Sequence, residues 1–148
     1  MIGIINLRPC GEVVGFHLEI VACCAGLDMR TGVHVYPRLR VGIVGMGGAT
    51  FPTHVKISGG IGKVKDVLIN GAECEPYITG DHRAMLERPE EIIGGATYLA
   101  KMFGVDKVVI GVEDNKRNGI DAMNKVIAEQ KAPVVVEPLR CRYPQGGE

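Results

Sequence analysis

The sequence predicts an α/β fold in which three strands alternate with two helices in the order β-α-β-α-β. From residue 64 onward, short apolar runs of strand length alternate with longer segments whose apolar residues recur every three or four positions. Each apolar run is followed by a polar or glycine-containing turn. This order indicates a parallel sheet with right-handed crossovers, and a glycine-rich loop precedes its first strand.

The first half of the pattern contains one strand and one long helix. Residues 64–70 form a strand that ends in an Asn-Gly turn, and residues 79–88 form one or two helical turns stopped by a proline. Residues 89–103 form a helix with Pro89 at its first position and Gly104 closing it. Its apolar face consists of Ile92, Ile93, Ala96, Leu99, Ala100 and Phe103.

The second half repeats the alternation of strand and helix. Residues 107–112 form a buried strand, and residues 116–130 form a helix for which Asn115 is the expected N-cap. Residues 133–139 form the last strand, which has a proline near each end. One face of the second helix carries Ile120, Met123 and Ile127.

The chain divides at about residue 40. Residues 1–40 form an unassigned lead-in, either β-rich or disordered, in which Val13–Val14 and Leu18–Cys24 are apolar enough for short strands. Residues 41–148 carry the predicted sheet and the glycine-rich loop. With 148 residues in total, the chain is long enough for one domain.

Composition excludes several classes of function. Lysine and arginine together number 17, as do aspartate and glutamate together, so the formal net charge is zero. Nucleic-acid-binding proteins usually carry a basic face, and we therefore expect no nucleic-acid binding. We find neither an apolar run of membrane-spanning length nor a signal peptide, and therefore expect no direct membrane span. The five cysteines lack C-x-x-C and iron–sulfur spacing, which indicates free thiols and no metal site.

The glycine-rich loop is a candidate phosphate site. Gly45, Gly47 and Gly48 allow the backbone to approach a ligand closely, so that consecutive N–H groups can form a nest for phosphate oxygens. Lys56 supplies a positive charge, and Phe51 offers a face for a flat ring. The loop matches neither the G-x-G-x-x-G fingerprint nor a Walker A motif. A flexible surface loop is the alternative interpretation.

Polar residues follow the strands at the edge where parallel sheets bind ligands. Asn70, Glu73 and Glu75 lie on the turn after the first strand, and residues 113–115 and 140–148 follow the other two. An amide and two carboxylates suit hydrogen bonding to a ribityl chain, a ribose or a ring edge. The two glutamates as a general acid–base pair, or a solvated acidic loop, are the alternatives.

Four motifs together resemble a known family. Residues 45–56, 70–77, 111–116 and 143–148 are similar in order and spacing to the RnfC subunit of the Rnf electron-transport complex, an ion-translocating ferredoxin:NAD oxidoreductase. That family is related to the NADH-binding flavoprotein subunit of respiratory complex I. The resemblance covers about residues 41–148 and implies a Rossmann-like domain that binds FMN and NAD(H).

The resemblance also implies roles for individual residues. Phe51 and Glu75 correspond to positions that face the dinucleotide. The positions that correspond to the FMN side of the site are Gly45, Gly47, Gly48, Lys56, Asn70, Glu73, Gly147 and Glu148. The implied chemistry is hydride transfer between nicotinamide and flavin. Relative to the family, Thr50 replaces a glycine of the loop, and Ala72 replaces an aspartate of the complex I relatives.

The resemblance further implies partners and a location. We expect the other subunits of an Rnf-type membrane complex, with ferredoxin as electron partner, and a cytoplasmic, peripheral position on the inner face of the cell membrane. The [4Fe–4S] clusters of the family are expected in a C-terminal part that this sequence lacks, so we expect a fragment. The alternatives are a folded fragment or docking module without flavin, and an unrelated nucleotide-binding domain.

Overall fold

The computed structural model describes the backbone of residues 13–17, and residues 57 and 59–143 with their side chains. The described helices and strands, in chain order, are β1 (Val13–His17), β2 (Asp66–Gly71), α1 (Gly80–Glu87), α2 (Pro89–Phe103), β3 (Val108–Glu113), α3 (Arg117–Gln130) and β4 (Val134–Leu139).

The described strands form one parallel sheet in the order β1-β2-β3-β4. Val67 is in register with Val108, which is in turn in register with Val134 on β4. The predicted parallel β-α-β-α-β order is therefore confirmed by β2 to β4. A fourth strand, Val13–His17, pairs with β2 and comes from the lead-in, of which the sequence suggested only Val13–Val14. The other candidate strand there lies outside the described residues.

Both long helices cover the same face of the sheet. The strands from β2 to β4 advance in one direction, so right-handed crossovers bring α2 and α3 to one side. Leu68, Val109 and Val135 on the opposite face are partly exposed. The strand residues buried beneath the helices are Val67, Ile69, Val108, Ile110, Val112, Val134 and Val136.

Helix α2 begins and ends where its sequence predicts. Pro89 occupies its first turn, where a missing N–H costs little. Gly104 ends the helix in the left-handed region, with a φ of 68°, and donates its N–H to the carbonyl of Ala100. The helix is buried along the face that carries Ile92, Ile93, Ala96, Leu99, Ala100 and Phe103. Local pattern and tertiary burial agree throughout this helix.

Outside α2, most predicted boundaries differ from the structure by one or two residues, and two of these differences have a clear physical cause. Strand β2 begins at residue 66 rather than 64, because Val64 donates its N–H to the carbonyl of Gly60 in a preceding helical turn, at 3.2 Å. Asn115 was the expected N-cap of α3, but Lys116 occupies that position and makes no described side-chain capping bond. The Asn115 side chain instead donates from Nδ2 to Sγ of Cys141, at 3.3 Å.

Candidate functional site

Three turns meet at the carboxyl edge of the sheet. The acidic turn, residues 72–79, follows β2, and the other two turns follow β3 and β4. Asp114 after β3 donates its N–H to the carbonyl of Leu139 at 2.8 Å and accepts the N–H of Cys141 on Oδ1 at 3.2 Å. The structure thus brings together the segments that the sequence placed at strand ends, as far as residue 143.

Asn70 lies near the end of β2, two residues before the acidic turn, and is 4% exposed. Its side-chain Oδ1 accepts the N–H of Ala72 at 3.0 Å, which closes a local turn directly after the strand. The next position requires glycine, because a Cβ on Gly71 would lie 2.9 Å from the carbonyl oxygen of Gly111 on β3. The Asn-Gly pair therefore lets the chain leave the sheet while β2 and β3 remain closely packed.

The carboxylate of Glu73 caps the N-terminus of helix α1. Oε1 accepts the N–H of Asp81 at 2.8 Å, and Oε2 accepts the N–H of His82 at 3.2 Å. The N-cap residue Thr79 makes no described side-chain capping bond, so Glu73 supplies acceptors for these first-turn donors. A negative charge at this end also complements the helix dipole. The FMN contact predicted for Glu73 stays a prediction. In the structure its carboxylate binds the backbone N–H groups at the start of α1.

A buried ion pair lies under the acidic turn. Glu113, at the end of β3, is 0% exposed, and Lys116 is 7% exposed. Lys116 Nζ donates to Glu113 Oε2 and, at 3.0 Å, to the backbone carbonyl oxygen of Glu73. Both residues lie in the motif of residues 111–116 that resembles RnfC, but no role was predicted for either. The available signal was a glutamate and a lysine three positions apart directly after a buried strand.

Cys141 joins the third turn to the same ion pair. Its thiol donates to Glu113 Oε1 at 3.7 Å, so both oxygens of that carboxylate have partners. Partial desolvation, and then the negative charge of Glu113, raise the pKa of the Cys141 thiol above its usual value. The thiol is therefore protonated at neutral pH and is a poor nucleophile. Among residues 57 and 59–143, no group of acidic, histidine and cysteine side chains could hold a metal ion.

The tip of the acidic turn is apolar and strained. Ile78 donates its N–H to the carbonyl of Glu75 at 3.3 Å, which closes a four-residue turn with Pro76 in its second position. Tyr77, in the third position, has a φ of 68°, a conformation in which glycine is usual in turns of this kind. The Tyr77 side chain is fully exposed, and that of Ile78 is 49% exposed. The tip therefore presents an aromatic ring beside the acidic residues.

The described structure contains only part of the predicted site. Asn70, Glu73 and Glu75 lie within one short segment at the carboxyl edge of the sheet. The predicted residues that lie outside the described part of the chain are Gly45, Gly47, Gly48, Phe51, Lys56, Gly147 and Glu148. The described groups fit FMN in chemical kind. The buried amide of Asn70 and the adjacent Gly71 lie at the carboxyl edge of the sheet, where parallel sheets bind nucleotides.

Comparison with known proteins defines the class to which this chain belongs. The profile of a family described as the Nuo51 FMN-binding domain matches residues 39–148, and the chain belongs to that family. The predicted relationship to complex I flavoproteins is thereby confirmed.

Individual relatives are the C subunits of ion-translocating oxidoreductase complexes. The chain is 50% identical over 108 residues to the C subunit of the proton-translocating ferredoxin:NAD(+) oxidoreductase complex of Clostridium ljungdahlii. It is 49% identical over 111 residues to the Na(+)-translocating counterpart of Acetobacterium woodii. The matches cover 72% and 74% of this chain but 23% and 25% of those relatives. The predicted similarity to RnfC is confirmed, and the chain spans about a quarter of the length of these relatives.

A third relative has a lower identity over a similar share of this chain. The C subunit of the ion-translocating oxidoreductase complex of Edwardsiella ictaluri is 42% identical over 109 residues, which are 73% of this chain and 13% of that protein. Separately, the helices in the described part of the chain are all too short or too polar to cross a membrane.

Proposed function

We propose that this chain is the FMN- and NAD(H)-binding part of the RnfC subunit of an ion-translocating ferredoxin:NAD oxidoreductase. The observation that supports the proposal most strongly is 50% identity to a relative of this kind over 108 residues. The geometry supports it independently, because the acidic turn lies at the carboxyl edge of a parallel sheet. FMN, if bound, would supply hydride exchange with the nicotinamide and one-electron exchange with other carriers, which is chemistry of the cofactor rather than of the protein.

In this proposal the protein binds and orients the two ligands. The glycine-rich loop and Lys56 hold the FMN phosphate, and Asn70 contacts the flavin from the end of β2. Glu75 and Phe51 face the dinucleotide. Gly147 and Glu148 lie on the flavin side. Glu73 acts mainly through its cap on α1, since its two carboxylate oxygens already accept backbone N–H groups.

The proposed electron route continues outside this chain. None of the five cysteines has the spacing of a cluster-binding run, so we propose that the [4Fe–4S] clusters are bound beyond residues 41–148. Ferredoxin and the other subunits of the membrane complex are the proposed partners. The proposed location is the cytoplasmic face of the cell membrane, at which the chain is peripheral.

An FMN titration of the purified chain tests the proposal. We expect saturable quenching of flavin fluorescence, followed by bleaching of the flavin absorption band when NADH is added without oxygen. A Lys56→Gln variant is expected to weaken FMN binding, whereas Lys125→Gln on the exposed side of α3 is the matched control and binds normally. A folded chain that quenches no flavin fluorescence would refute the proposal.

One observation favours a second candidate function, a docking module without flavin. Tyr77 and Ile78 expose apolar surface at the tip of the acidic turn, where a partner protein can bind them. The same titration separates the two functions, because a docking module leaves flavin fluorescence unchanged.

A further inference from the structure

We propose that Lys116, held in place by Glu113, is a positioning residue that fixes the acidic turn in its ligand-binding shape. The inference rests on the proposed function, because it assumes that the acidic turn contacts the flavin and the dinucleotide. Neither residue was among the predicted ligand contacts. Their effect on ligands is indirect and acts through the backbone of Glu73.

The bond from Lys116 Nζ to the Glu73 carbonyl oxygen is the contact that carries the inference. It spans 43 positions in sequence and joins the turn after β2 to the segment between β3 and α3, at 3.0 Å. Hydrogen bonds with a charged donor are stronger than neutral ones, and this one is largely shielded from water because Lys116 is 7% exposed. The peptide plane after Glu73 is therefore held in one orientation.

Glu73 is held from both sides. Its carbonyl oxygen is bound by Lys116, and its carboxylate is bound by the first N–H groups of α1. Asn70 fixes the start of the turn through the N–H of Ala72. Glu75, the predicted dinucleotide contact, comes two residues after this fixed point. A change in the Glu73 peptide plane would displace Glu75 and the exposed tip together.

The desolvation cost of the buried Glu113–Lys116 ion pair indicates that the pair does more than stabilise the fold. Removing two charges from water is costly, and apolar residues of similar size often stabilise a protein as well as a buried ion pair does. An apolar pair at positions 113 and 116 would fill the same space but could not donate to the Glu73 carbonyl. The charge on Lys116 also requires the buried carboxylate of Glu113 as a partner. The pair therefore provides a bond to the turn that apolar packing cannot provide.

The third turn belongs to the same arrangement. Glu113 Oε1 accepts from the Cys141 thiol while Oε2 accepts from Lys116. A single carboxylate thus connects the segments that follow β3 and β4, and Lys116 extends the connection to the segment after β2. The three turns at the proposed ligand edge are consequently coupled through one buried group.

A double variant, Glu113→Leu with Lys116→Met, tests the inference because it removes the bond to Glu73 without leaving a buried charge unpaired. The matched control is Lys125→Met with Glu129→Leu, which makes the same replacements at exposed positions of α3. The first measurement is hydrogen–deuterium exchange of the flavin-free chain, read on the peptide that contains residues 72–82. We expect exchange there to rise about tenfold in the double variant only, with α2 unchanged.

The second measurement uses ligands. We expect the double variant to bind FMN about tenfold more weakly and to need about tenfold more NADH for half-maximal flavin reduction, while the control matches wild type. Unchanged exchange at residues 72–82 would overturn the inference whatever the flavin result. Faster exchange with unchanged ligand affinity would also overturn it. If the folded wild-type chain binds no FMN, the proposed function fails, and the positioning role for ligands fails with it.

Discussion

Replacing Glu73 with alanine should destabilise helix α1 even in the absence of any cofactor. The substitution removes the acceptors for the N–H groups of Asp81 and His82, at 2.8 and 3.2 Å. The N-cap residue Thr79 makes no described side-chain hydrogen bond that could replace them. Loss of an N-cap costs roughly 0.5–2 kcal/mol, and the charge of the acceptor and its partial burial place this case near the upper end, at about 2 kcal/mol.

Thermal unfolding of the flavin-free chain, followed by far-ultraviolet circular dichroism, measures this cost. For a protein of this size, about 2 kcal/mol corresponds to a fall in Tm of roughly 4–8 °C. The matched control is Glu87→Ala at the other end of α1. Glu87 forms an exposed ion pair with Arg83, and such a pair contributes no more than about 0.5 kcal/mol.

Two results would refute this reasoning. One is a Glu73→Ala protein whose free energy of unfolding lies within about 0.5 kcal/mol of wild type, which would mean that water caps the helix equally well. The other is an equal fall in the free energy of unfolding of Glu87→Ala, which would mean that removing any charged side chain near α1 destabilises the helix by the same amount. A Glu73→Gln protein should fall between wild type and Glu73→Ala, because its amide retains one acceptor oxygen.

Three further substitutions test individual local features of the structure. Gly71→Ala should destabilise the chain by roughly 1–3 kcal/mol in urea unfolding, because its Cβ would lie 2.9 Å from a backbone oxygen of β3, whereas Gly59→Ala meets nothing within 4 Å and should be tolerated. Glu113→Gln should shift the pH profile of Cys141 alkylation, read by peptide mass spectrometry, to lower pH. The raised pKa of this thiol derives in part from the Glu113 charge, so an unshifted profile would contradict that cause. Tyr77→Gly should raise the free energy of unfolding by up to about 1 kcal/mol, because its φ of 68° suits glycine, and a loss of stability would contradict the strain inferred from this backbone conformation.

Helix α2 and the strands from β2 to β4 were predictable because their signals are local. Helix α2 has its apolar spacing, its initial proline and its closing glycine within a single stretch of sequence, and the structure agrees at both ends. The start of β2 was less predictable, since Val64 is as apolar as the residues that follow but is bonded into a preceding helical turn. The N-cap of α3 was wrong for a similar reason, because Asn115 contacts a cysteine 26 positions later.

For the candidate site, sequence patterns were enough to establish the class of protein and the segment in which Asn70, Glu73 and Glu75 lie. Motif spacing is local information, and strand ends mark the ligand edge of a parallel sheet. The folded arrangement was needed to show that Glu73 caps α1 and that Lys116 binds the Glu73 carbonyl. The physical reason is that these contacts join groups on different elements, and the distance between them is set by strand pairing and helix packing rather than by separation along the chain.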